Sequence, residues 1–224
     1  NINQQADIIQ VDLEPKAIGN YFPVELGICA DAPTVAQQLK KVIINMEKKA
    51  KVKNWTNQFI NERLLYLKNR DTVALSLNNN QLIQPPSLFK ELRDILPKNV
   101  SITLDAGTLC LQATDALNYW EPPCLFTPLD FGLVGFSFAC GLGIKVARPD
   151  NPVVSLIGDG GFGMTISELS TAVQYGINTV TIVMNNKCWG AEKAYQRDFF
   201  GKRYIGADID SPPFDKVAEL YGAA

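Results

Sequence analysis

The chain has 224 residues, with 21 lysines and arginines, 23 aspartates and glutamates, and no histidine. The absence of histidine excludes a Ser-His-Asp triad built from this chain and removes the commonest general base and transition-metal ligand. The net charge of −2 gives no overall attraction to nucleic acid or to anionic lipid, so neither is expected as a partner.

Five cysteines are scattered along the chain, at positions 29, 110, 124, 140 and 188, and none forms a C-x-x-C motif. This usage argues for a reducing cytoplasm and against a disulfide framework or a structural zinc site. The longest uncharged stretch of the central region, residues 131–144, is too short to span a bilayer. The length corresponds to about one and a half domains. Because the chain also begins abruptly without Met, we expect a fragment of a longer protein.

The first fifty residues predict a strand, a turn, a second strand and a helix. Residues 6–13 are expected to form a buried strand and residues 24–29 a second one. Asp31 is expected to cap a helix from Thr34 to about Lys53, because apolar residues recur there at helical spacing. This order is typical of the closing part of an α/β unit.

The next segment, residues 49–83, has a different composition and is expected to connect two domains. A run of lysines spans the start of this segment: Lys48 precedes it, and Lys49, Lys51 and Lys53 lie within it. An amphipathic helix is predicted over residues 55–67, and residues 78–80 are expected in a loop. The lysines could form a nucleic-acid patch, but we favour a solvated helix end because no aromatic residues alternate with them.

From Pro86 onward, predicted strands and helices alternate. Strands are expected over 100–104, 153–157 and 179–184, and helices after a cap at Ser87, over 131–147 and over 167–175. Such alternation predicts an α/β fold with a doubly wound parallel sheet and helices on both faces. In these folds, ligands bind at the carboxyl ends of the strands.

Two of these strands end in polar residues. The sequence GDGG at 158–161 follows one strand, and Asn185-Asn186 follows the next. A right-handed crossover places Asp159 and Asn186 at the same edge of the sheet, where their oxygens would suit Mg²⁺ or Ca²⁺. Gly160 and Gly161 would let the backbone approach a phosphate ahead of a helix N-terminus. Either pattern alone is more typical of an ordinary turn.

Together, G-D-G and N-N, with Asn186 27 positions after Asp159, resemble the signature of thiamine diphosphate-dependent enzymes. The resemblance implies that the side chains of Asp159 and Asn186 and the backbone carbonyl of Cys188 bind Mg²⁺. The metal would in turn anchor the diphosphate of the cofactor. Cys188 would therefore act without thiol chemistry.

The resemblance extends over almost the whole chain. Residues 132–150 look like the family's G-x-x-G-F…G-A-K-x-A-x-P-D stretch, residues 105–108 like its D-x-G-x loop, and residues 6–32 like the end of its central domain. It implies that Val134 is the wedge that bends the cofactor, thinner than the Met, Leu or Ile of many relatives, and that the Thr108 hydroxyl bonds the diphosphate. The implied cofactor-binding residues are Gly107, Thr108, Gly132, Val134, Gly158, Asp159, Gly160, Gly161, Asn186, Cys188, Trp189 and Gly190.

The resemblance divides the chain into three parts. Residues 1–48 would be the C-terminal part of a partial α/β central domain, residues 49–83 a connector helix and linker, and residues 84–224 the diphosphate-binding domain, open to truncation at its C-terminus. The last part would have the thiamine diphosphate-binding fold.

The segment WGAEKAYQRDFF at 189–200 looks most like sulfoacetaldehyde acetyltransferases and less like acetolactate synthases. Glu192 is the candidate catalytic acid–base residue, and it would line the substrate pocket with Tyr195. The alternative hypothesis is that Glu192 is an ordinary solvated glutamate at a helix start, stabilised by the helix dipole. Lys193 and Arg197 either attract a sulfonate or phosphate or have an ordinary surface role. The sequence departs from the acetyltransferases at two places. It has Thr108 where they usually have Asn, and Asn185-Asn186 where they often have His-Asn or Arg-Asn.

The resemblance implies Mg²⁺- and thiamine diphosphate-dependent acyl transfer, converting sulfoacetaldehyde and phosphate to acetyl phosphate and sulfite. The alternatives are an acetolactate synthase-like condensation of 2-oxo acids and a non-catalytic cofactor-binding paralogue. The activating glutamate would come from a pyrimidine-binding domain of a partner subunit, so we expect at least a homodimer. These 224 residues would hold half the site and be inactive alone. The protein is expected in the cytoplasm, without a membrane or nucleic-acid partner.

Overall fold

The computed structural model describes residue 3 and residues 5–46, 53–76 and 82–224, without the side chains of 53–55, 71 and 73–76. The chain divides into two compact units, Asn1–Leu65 and Tyr66–Ala224. Lys48, Lys49 and Lys51 and the predicted loop at 78–80 lie outside the described residues. The three-part division expected from the sequence stays a prediction.

The first unit contains two parallel strands and a helix. Strand β1 (Ile9–Asp12) pairs with β2 (Leu26–Cys29), with Ile9 opposite Leu26 and Asp12 opposite Cys29. A short 3₁₀ helix, Pro15–Ala17, lies between them. Helix α1 (Ala32–Asn45) begins after Asp31, whose side chain accepts a hydrogen bond from the Thr34 backbone N at 2.9 Å. The predicted order of elements and the cap at Asp31 are therefore confirmed.

Two details of this region differ from expectation. The predicted buried strand is not buried, since Ile9 is 62% exposed and, within the described part of this unit, only Val35 is buried. A two-stranded sheet offers few neighbours to cover such a strand. Helix α1 ends at Asn45 rather than continuing to residue 53.

Helix α2 (Lys53–Ser76) forms where a connector helix was predicted, but it is not amphipathic. Its apolar side chains occur as adjacent pairs, such as Phe59-Ile60 and Leu64-Leu65, and these four are about half exposed or more. Successive residues of an α-helix point about 100° apart, so adjacent pairs spread around the helix instead of forming one stripe.

The second unit is built on a four-stranded parallel sheet. Its strands are β3 (Ser101–Leu104), β4 (Leu125–Phe126), β5 (Val153–Gly158) and β6 (Val180–Met184), in the order β4-β3-β5-β6. Ile102 lies opposite Val154, and Leu156 opposite Ile182. The sheet therefore has adjacent central strands, β3 and β5, whose carboxyl ends point to the same edge.

Helices cover both faces of this sheet. Helices α3 (Pro85–Ile95) and α4 (Thr108–Ala116) pack on one face, and the other face carries α5 (Phe136–Ala147), α6 (Asp159–Thr165) and α7 (Glu168–Tyr175). Two further helices, α8 (Gly190–Phe199) and α9 (Phe214–Tyr221), follow β6. The first face buries Ile102, Leu104, Val154 and Leu156 against Phe89, Leu92, Leu109 and Ala113; the second buries Ile157 against Phe138, Leu142, Phe162 and Leu169.

Burying a side chain of this size stabilises the fold by about 1.5–3 kcal/mol, so the two clusters supply the second unit with its core. The predicted α/β fold with a doubly wound parallel sheet is confirmed.

Two predicted helix starts are wrong. Helix α3 begins at Pro85 with Gln84 as its N-cap residue, so Ser87 lies inside the helix. Helix α5 begins at Phe136 rather than at residue 131, because Gly132 (φ 68°) and Gly135 (φ 86°) adopt left-handed backbone conformations that form a turn.

The start of α5 is fixed to β3 by buried hydroxyl groups. The Ser137 Oγ donates to the Thr103 carbonyl at 3.0 Å, and the Thr103 Oγ1 lies 2.9 Å from the Ser137 carbonyl. Gly141 lets the helix approach the sheet, since a Cβ atom there would lie 2.2 Å from the Ser155 Oγ. The turn at 132–135 is thereby held at the edge of the sheet.

Within the described ranges, no helix combines the length and the hydrophobicity that a membrane span requires.

Candidate functional site

The candidate site lies at the carboxyl ends of β3, β5 and β6, where the sequence predicted it. Residues 105–108 follow β3, Asp159 follows β5 and Asn186 follows β6. These segments lie close together, because a Cβ atom on Gly190 would lie 3.0 Å from the Thr108 Oγ1 and 3.3 Å from the Asn186 Nδ2. The topology therefore brings the cofactor-binding segments predicted from separate motifs to one edge of the sheet.

Asp159 is the central acidic group of the site. It is 1% exposed, and its Oδ2 accepts a hydrogen bond from the Ser211 Oγ at 2.7 Å. Its Oδ1 is buried and has no hydrogen-bond partner among the described residues. An unpaired buried carboxylate oxygen costs free energy, and a bound cation removes that cost.

Asn186 and Cys188 lie on the loop that follows β6. The Asn186 side chain is exposed, and its Oδ1 accepts a hydrogen bond from the Cys188 backbone N at 3.2 Å. An amide oxygen has a second lone pair, so this bond leaves room for a cation. The neighbouring Lys187 has a positive φ of 55°, which makes the loop turn sharply.

Residues 207–209 hold this loop in place. The Trp189 N donates to the Ala207 carbonyl at 2.8 Å, and the Ile209 N donates to the Lys187 carbonyl at 2.9 Å. Cys188 lies between the two bonded residues, so neither bond uses its carbonyl oxygen. Among the described residues, no three Cys, Asp or Glu side chains cluster as a metal site. The donor set predicted from the sequence is one carboxylate, one amide and one backbone carbonyl, the hard oxygens that suit Mg²⁺.

Asp105 is a buried acidic residue to which the sequence assigned no role. Its Oδ2 accepts a hydrogen bond from the Gly135 N and its Oδ1 one from the Ser137 N, both at 3.1 Å. Burial raises the pKa of this carboxyl above its ordinary value. Asp105 thus joins the end of β3 to the turn that contains Gly132 and Val134. An aspartate directly after a buried strand was the available signal.

The glycines at 160 and 161 are packed against side chains. A Cβ atom on Gly161 would lie 2.1 Å from the Asp105 Oδ2, and one on Gly160 would lie 2.5 Å from the Trp189 ring. Both residues lie within α6 rather than in a loop. The packing of the site itself therefore requires residues without side chains at these two positions. The predicted close approach of the Gly160 and Gly161 backbone to a phosphate stays a prediction.

The remaining predicted cofactor residues surround these groups. Gly158 ends β5 and is the N-cap residue of α6, and Gly107 is the N-cap residue of α4. Val134 is partly buried in the turn before α5, and Gly132 is exposed.

A pocket of about 370 Å³ opens beside these loops. Its walls come from the β3–α4 loop, from the segment before α5 and from α8. The lining residues are Ala106, Gly107, Thr108, Cys110, Leu111, Thr127, Pro128, Leu129, Gly132, Ala191, Ala194, Tyr195, Asp198 and Phe199. Tyr195 lines this pocket, whereas Glu192 is exposed in the first turn of α8 and is not among the lining residues. That the pocket receives the substrate stays a prediction.

The two cations of α8 are already paired. Lys193 forms an ion pair with Asp208, and this hydrogen bond raises the pKa of Lys193; its ammonium group also lies over the Tyr204 ring. Arg197 forms an ion pair with Asp198. These contacts favour the ordinary surface role over attraction of a substrate anion.

Comparison with known proteins agrees with this geometry. Residues 105–224 match the family described as thiamine pyrophosphate enzyme, C-terminal TPP binding domain. The chain belongs to this family.

The chain is also similar to two groups of curated proteins. It is 30% identical to a sulfoacetaldehyde acetyltransferase of Castellaniella defragrans, over 98% of this chain and 39% of the relative. It is 31% identical to a probable acetolactate synthase large subunit of Methanococcus aeolicus, over 97% of this chain and 38% of the relative. The chain thus spans about two fifths of the length of these relatives, and the predicted family is confirmed.

Proposed function

We propose that this chain binds the diphosphate end of thiamine diphosphate through Mg²⁺ as part of an acyl-transferring enzyme. The observation that carries the proposal is the buried Oδ1 of Asp159, which has no donor among the residues that the structure describes and lies at the sheet edge that also carries Asn186. A buried anionic oxygen without a partner is rare in folded proteins unless a ligand or ion completes it. The residues present therefore fit a hard divalent cation.

In this proposal the metal ligands are the side chains of Asp159 and Asn186 and the carbonyl of Cys188. Gly107, Thr108 and the loop that contains Trp189 and Gly190 would hold the diphosphate. Thiamine diphosphate, when bound, supplies an electron sink for cleaving the bond next to a carbonyl carbon. The chain's own residues would bind and orient it. Asp105 holds the turn at 132–135, and Val134 and Gly132 of this turn would contact the aminopyrimidine ring.

The reaction we propose converts sulfoacetaldehyde and phosphate to acetyl phosphate and sulfite. It is supported by the similarity to proteins named sulfoacetaldehyde acetyltransferase and by the sequence at 189–200. Glu192 would move protons from the first turn of α8, and Tyr195 would form a wall of the substrate pocket. An exposed carboxylate at this position is accessible for proton exchange.

The alternative reaction is decarboxylation of pyruvate and condensation with a second 2-oxo acid. Similarity to acetolactate synthase large subunits at 31% identity favours it. The pocket beside Tyr195, with Leu111, Leu129 and Phe199 in its walls, would suit the apolar part of an oxo acid. The third hypothesis is a paralogue that binds the cofactor but does not catalyse a reaction. Absence of the activating glutamate from the complete protein would identify it.

The proposal also includes a homo-oligomer, at least a dimer or tetramer, in which a pyrimidine-binding domain supplies the activating glutamate. A cytoplasmic location is supported by the five cysteines, all of which are free.

The deciding experiment gives the complete natural protein either sulfoacetaldehyde with phosphate, or pyruvate, in the presence of thiamine diphosphate and Mg²⁺. We expect sulfite and acetyl phosphate from the first mixture. Acetolactate from the second mixture alone would establish the alternative reaction. Cofactor binding without any of the three products would establish the non-catalytic paralogue, and absence of binding would refute the proposed function.

A further inference from the structure

The segment between α8 and α9, residues 207–211, touches both parts of the proposed metal site. Ala207, which is buried, and Ile209 are hydrogen-bonded to the loop that carries Cys188. Two residues further on, the Ser211 hydroxyl donates to the Oδ2 of Asp159 at 2.7 Å. One short segment therefore fixes the positions of the carboxylate and of the loop that would share the cation.

We propose that Ser211 is a positioning residue for the metal ligand Asp159. A carboxylate has two equivalent oxygens, and a side chain free to rotate could offer either of them. The bond from Ser211 occupies Oδ2 and leaves Oδ1 as the buried oxygen without a donor. Ser211 thereby sets which oxygen faces the cation and limits rotation of the carboxylate before the cation arrives.

A carboxylate that binds a metal is ionised, and the Ser211 hydroxyl donates to it. An O–H···O⁻ bond is charge-assisted and stronger than a bond between neutral groups. Partners of this kind orient metal-binding carboxylates, and their removal typically weakens metal binding by about 10–100-fold. The inference rests on the proposed function, because it takes Asp159 as a metal ligand.

The test measures Mn²⁺ binding by the complete natural protein in the presence of thiamine diphosphate, by electron paramagnetic resonance of the free ion. Ser211→Ala should weaken Mn²⁺ binding by roughly 10-fold or more, the effect expected for losing a partner of a ligating carboxylate. Ser211→Thr keeps the hydroxyl and should bind within about threefold of the wild type, a small change on the same scale. Ser170→Ala is the matched control, because that exposed hydroxyl donates only to the Ser167 carbonyl of its own helix region.

The results distinguish the role of Ser211 from the proposed metal binding on which that role rests. If the wild type binds no Mn²⁺, the proposed metal site is refuted; if it binds and Ser211→Ala binds equally well, only the role of Ser211 is overturned. Equal losses in Ser211→Ala and Ser211→Thr would also overturn it, since the hydroxyl would then not be the acting group. Ser211→Cys, which preserves size with a weak donor, serves if the alanine variant does not fold, and wild-type affinity in it would contradict the inference.

Discussion

Asp159 combines a cost to folding with a use in binding. Its carboxylate is buried, and one oxygen has no hydrogen-bond partner within the described part of the chain, an arrangement that a protein keeps when a ligand completes it. We predict that Asp159→Ala lowers the affinity for thiamine diphosphate in the presence of Mg²⁺ by more than about 100-fold, since it removes a ligand rather than a ligand's partner.

The same substitution should leave the metal-free protein nearly as stable. Relief of the unpaired Oδ1 offsets loss of the Ser211 bond, so the free energy of unfolding should change by less than about 1 kcal/mol. Calorimetric titration and chemical denaturation of the complete protein measure the two effects. Asp150→Ala, at an exposed position, is the control. Unchanged cofactor affinity in Asp159→Ala would refute the metal assignment.

Asp105 gives a pH-dependent prediction. Its pKa is raised on folding above the ordinary value of 3.8, so the folded chain holds a proton on this group more tightly than the unfolded chain does. Its contribution to stability is therefore full below pH 3.8 and is lost as the pH rises through the raised folded pKa. In Asp105→Asn this titration is absent.

We expect Asp105→Asn to lower the free energy of unfolding by about 1–3 kcal/mol at neutral pH, because an amide cannot accept from both the Gly135 and Ser137 N–H groups with separate oxygens. The difference between wild type and variant should grow as the pH falls toward 4. Chemical denaturation at several pH values measures it. A difference that shrinks on acidification would contradict the assigned direction of the shift.

At the level of single residues, the sequence predicts the candidate site residues that belong to local motifs. Asp159 and Asn186 were found because each directly follows a predicted strand. Ser211 was missed because it lies 52 positions from Asp159 and reaches it only through the fold. Asp105 was noticed within a motif, but its bonds to Gly135 and Ser137 depend on where α5 starts.

The glycines of α6 show the same limit at the level of an element. The GDGG run is visible in the sequence, but its neighbours are not: Gly160 contacts Trp189 and Gly161 contacts Asp105, both distant in the chain. Parallel pairing follows from the alternation of strands and helices. The strand order β4-β3-β5-β6 does not, and the two-residue strand β4 lies outside the three strands that the sequence predicted. Helix starts do not follow from it either, since the start of α5 depends on left-handed glycines and that of α3 on two prolines.

Helix α6 provides a matched pair of substitutions. Gly160→Ala places a Cβ atom 2.5 Å from the Trp189 ring, whereas Gly163 in the same helix has nothing within 4 Å of that position. Alanine favours a helix over glycine by about 1 kcal/mol at either site. We expect Gly163→Ala to stabilise the protein by about 0.5–1 kcal/mol, by that propensity.

Gly160→Ala should instead destabilise the protein by about 1–3 kcal/mol, because overpacking outweighs helix propensity. It should also weaken cofactor binding, since the displaced Trp189 belongs to the loop of Cys188 and Gly190. Urea denaturation and tryptophan fluorescence measure the two effects. Equal effects of the two substitutions would show that α6 does not pack against the Trp189 ring.

At the scale of the whole molecule, exposed apolar side chains lie beside the pocket. Leu129, Phe131 and Leu133 are each at least half exposed beside the turn that precedes α5, and Phe199 is 74% exposed. A concentration of exposed apolar side chains at the mouth of a pocket is typical of a surface that another part of a protein covers. The chain spans about two fifths of its relatives, which agrees with a site completed by further residues.

This organisation predicts that the 224 residues alone do not turn over sulfoacetaldehyde or pyruvate, although the complete protein does. In the proposed function the chain supplies the diphosphate and metal side, and no group within its described residues is assigned to protonate the aminopyrimidine ring. Product formation by chain and complete protein, at equal concentration with cofactor and Mg²⁺, measures the difference. Circular dichroism of the isolated chain must show folded α/β structure for the comparison to hold. Turnover by the folded chain alone would mean that these residues contain a whole active site, and the expected contribution of a second domain would be wrong.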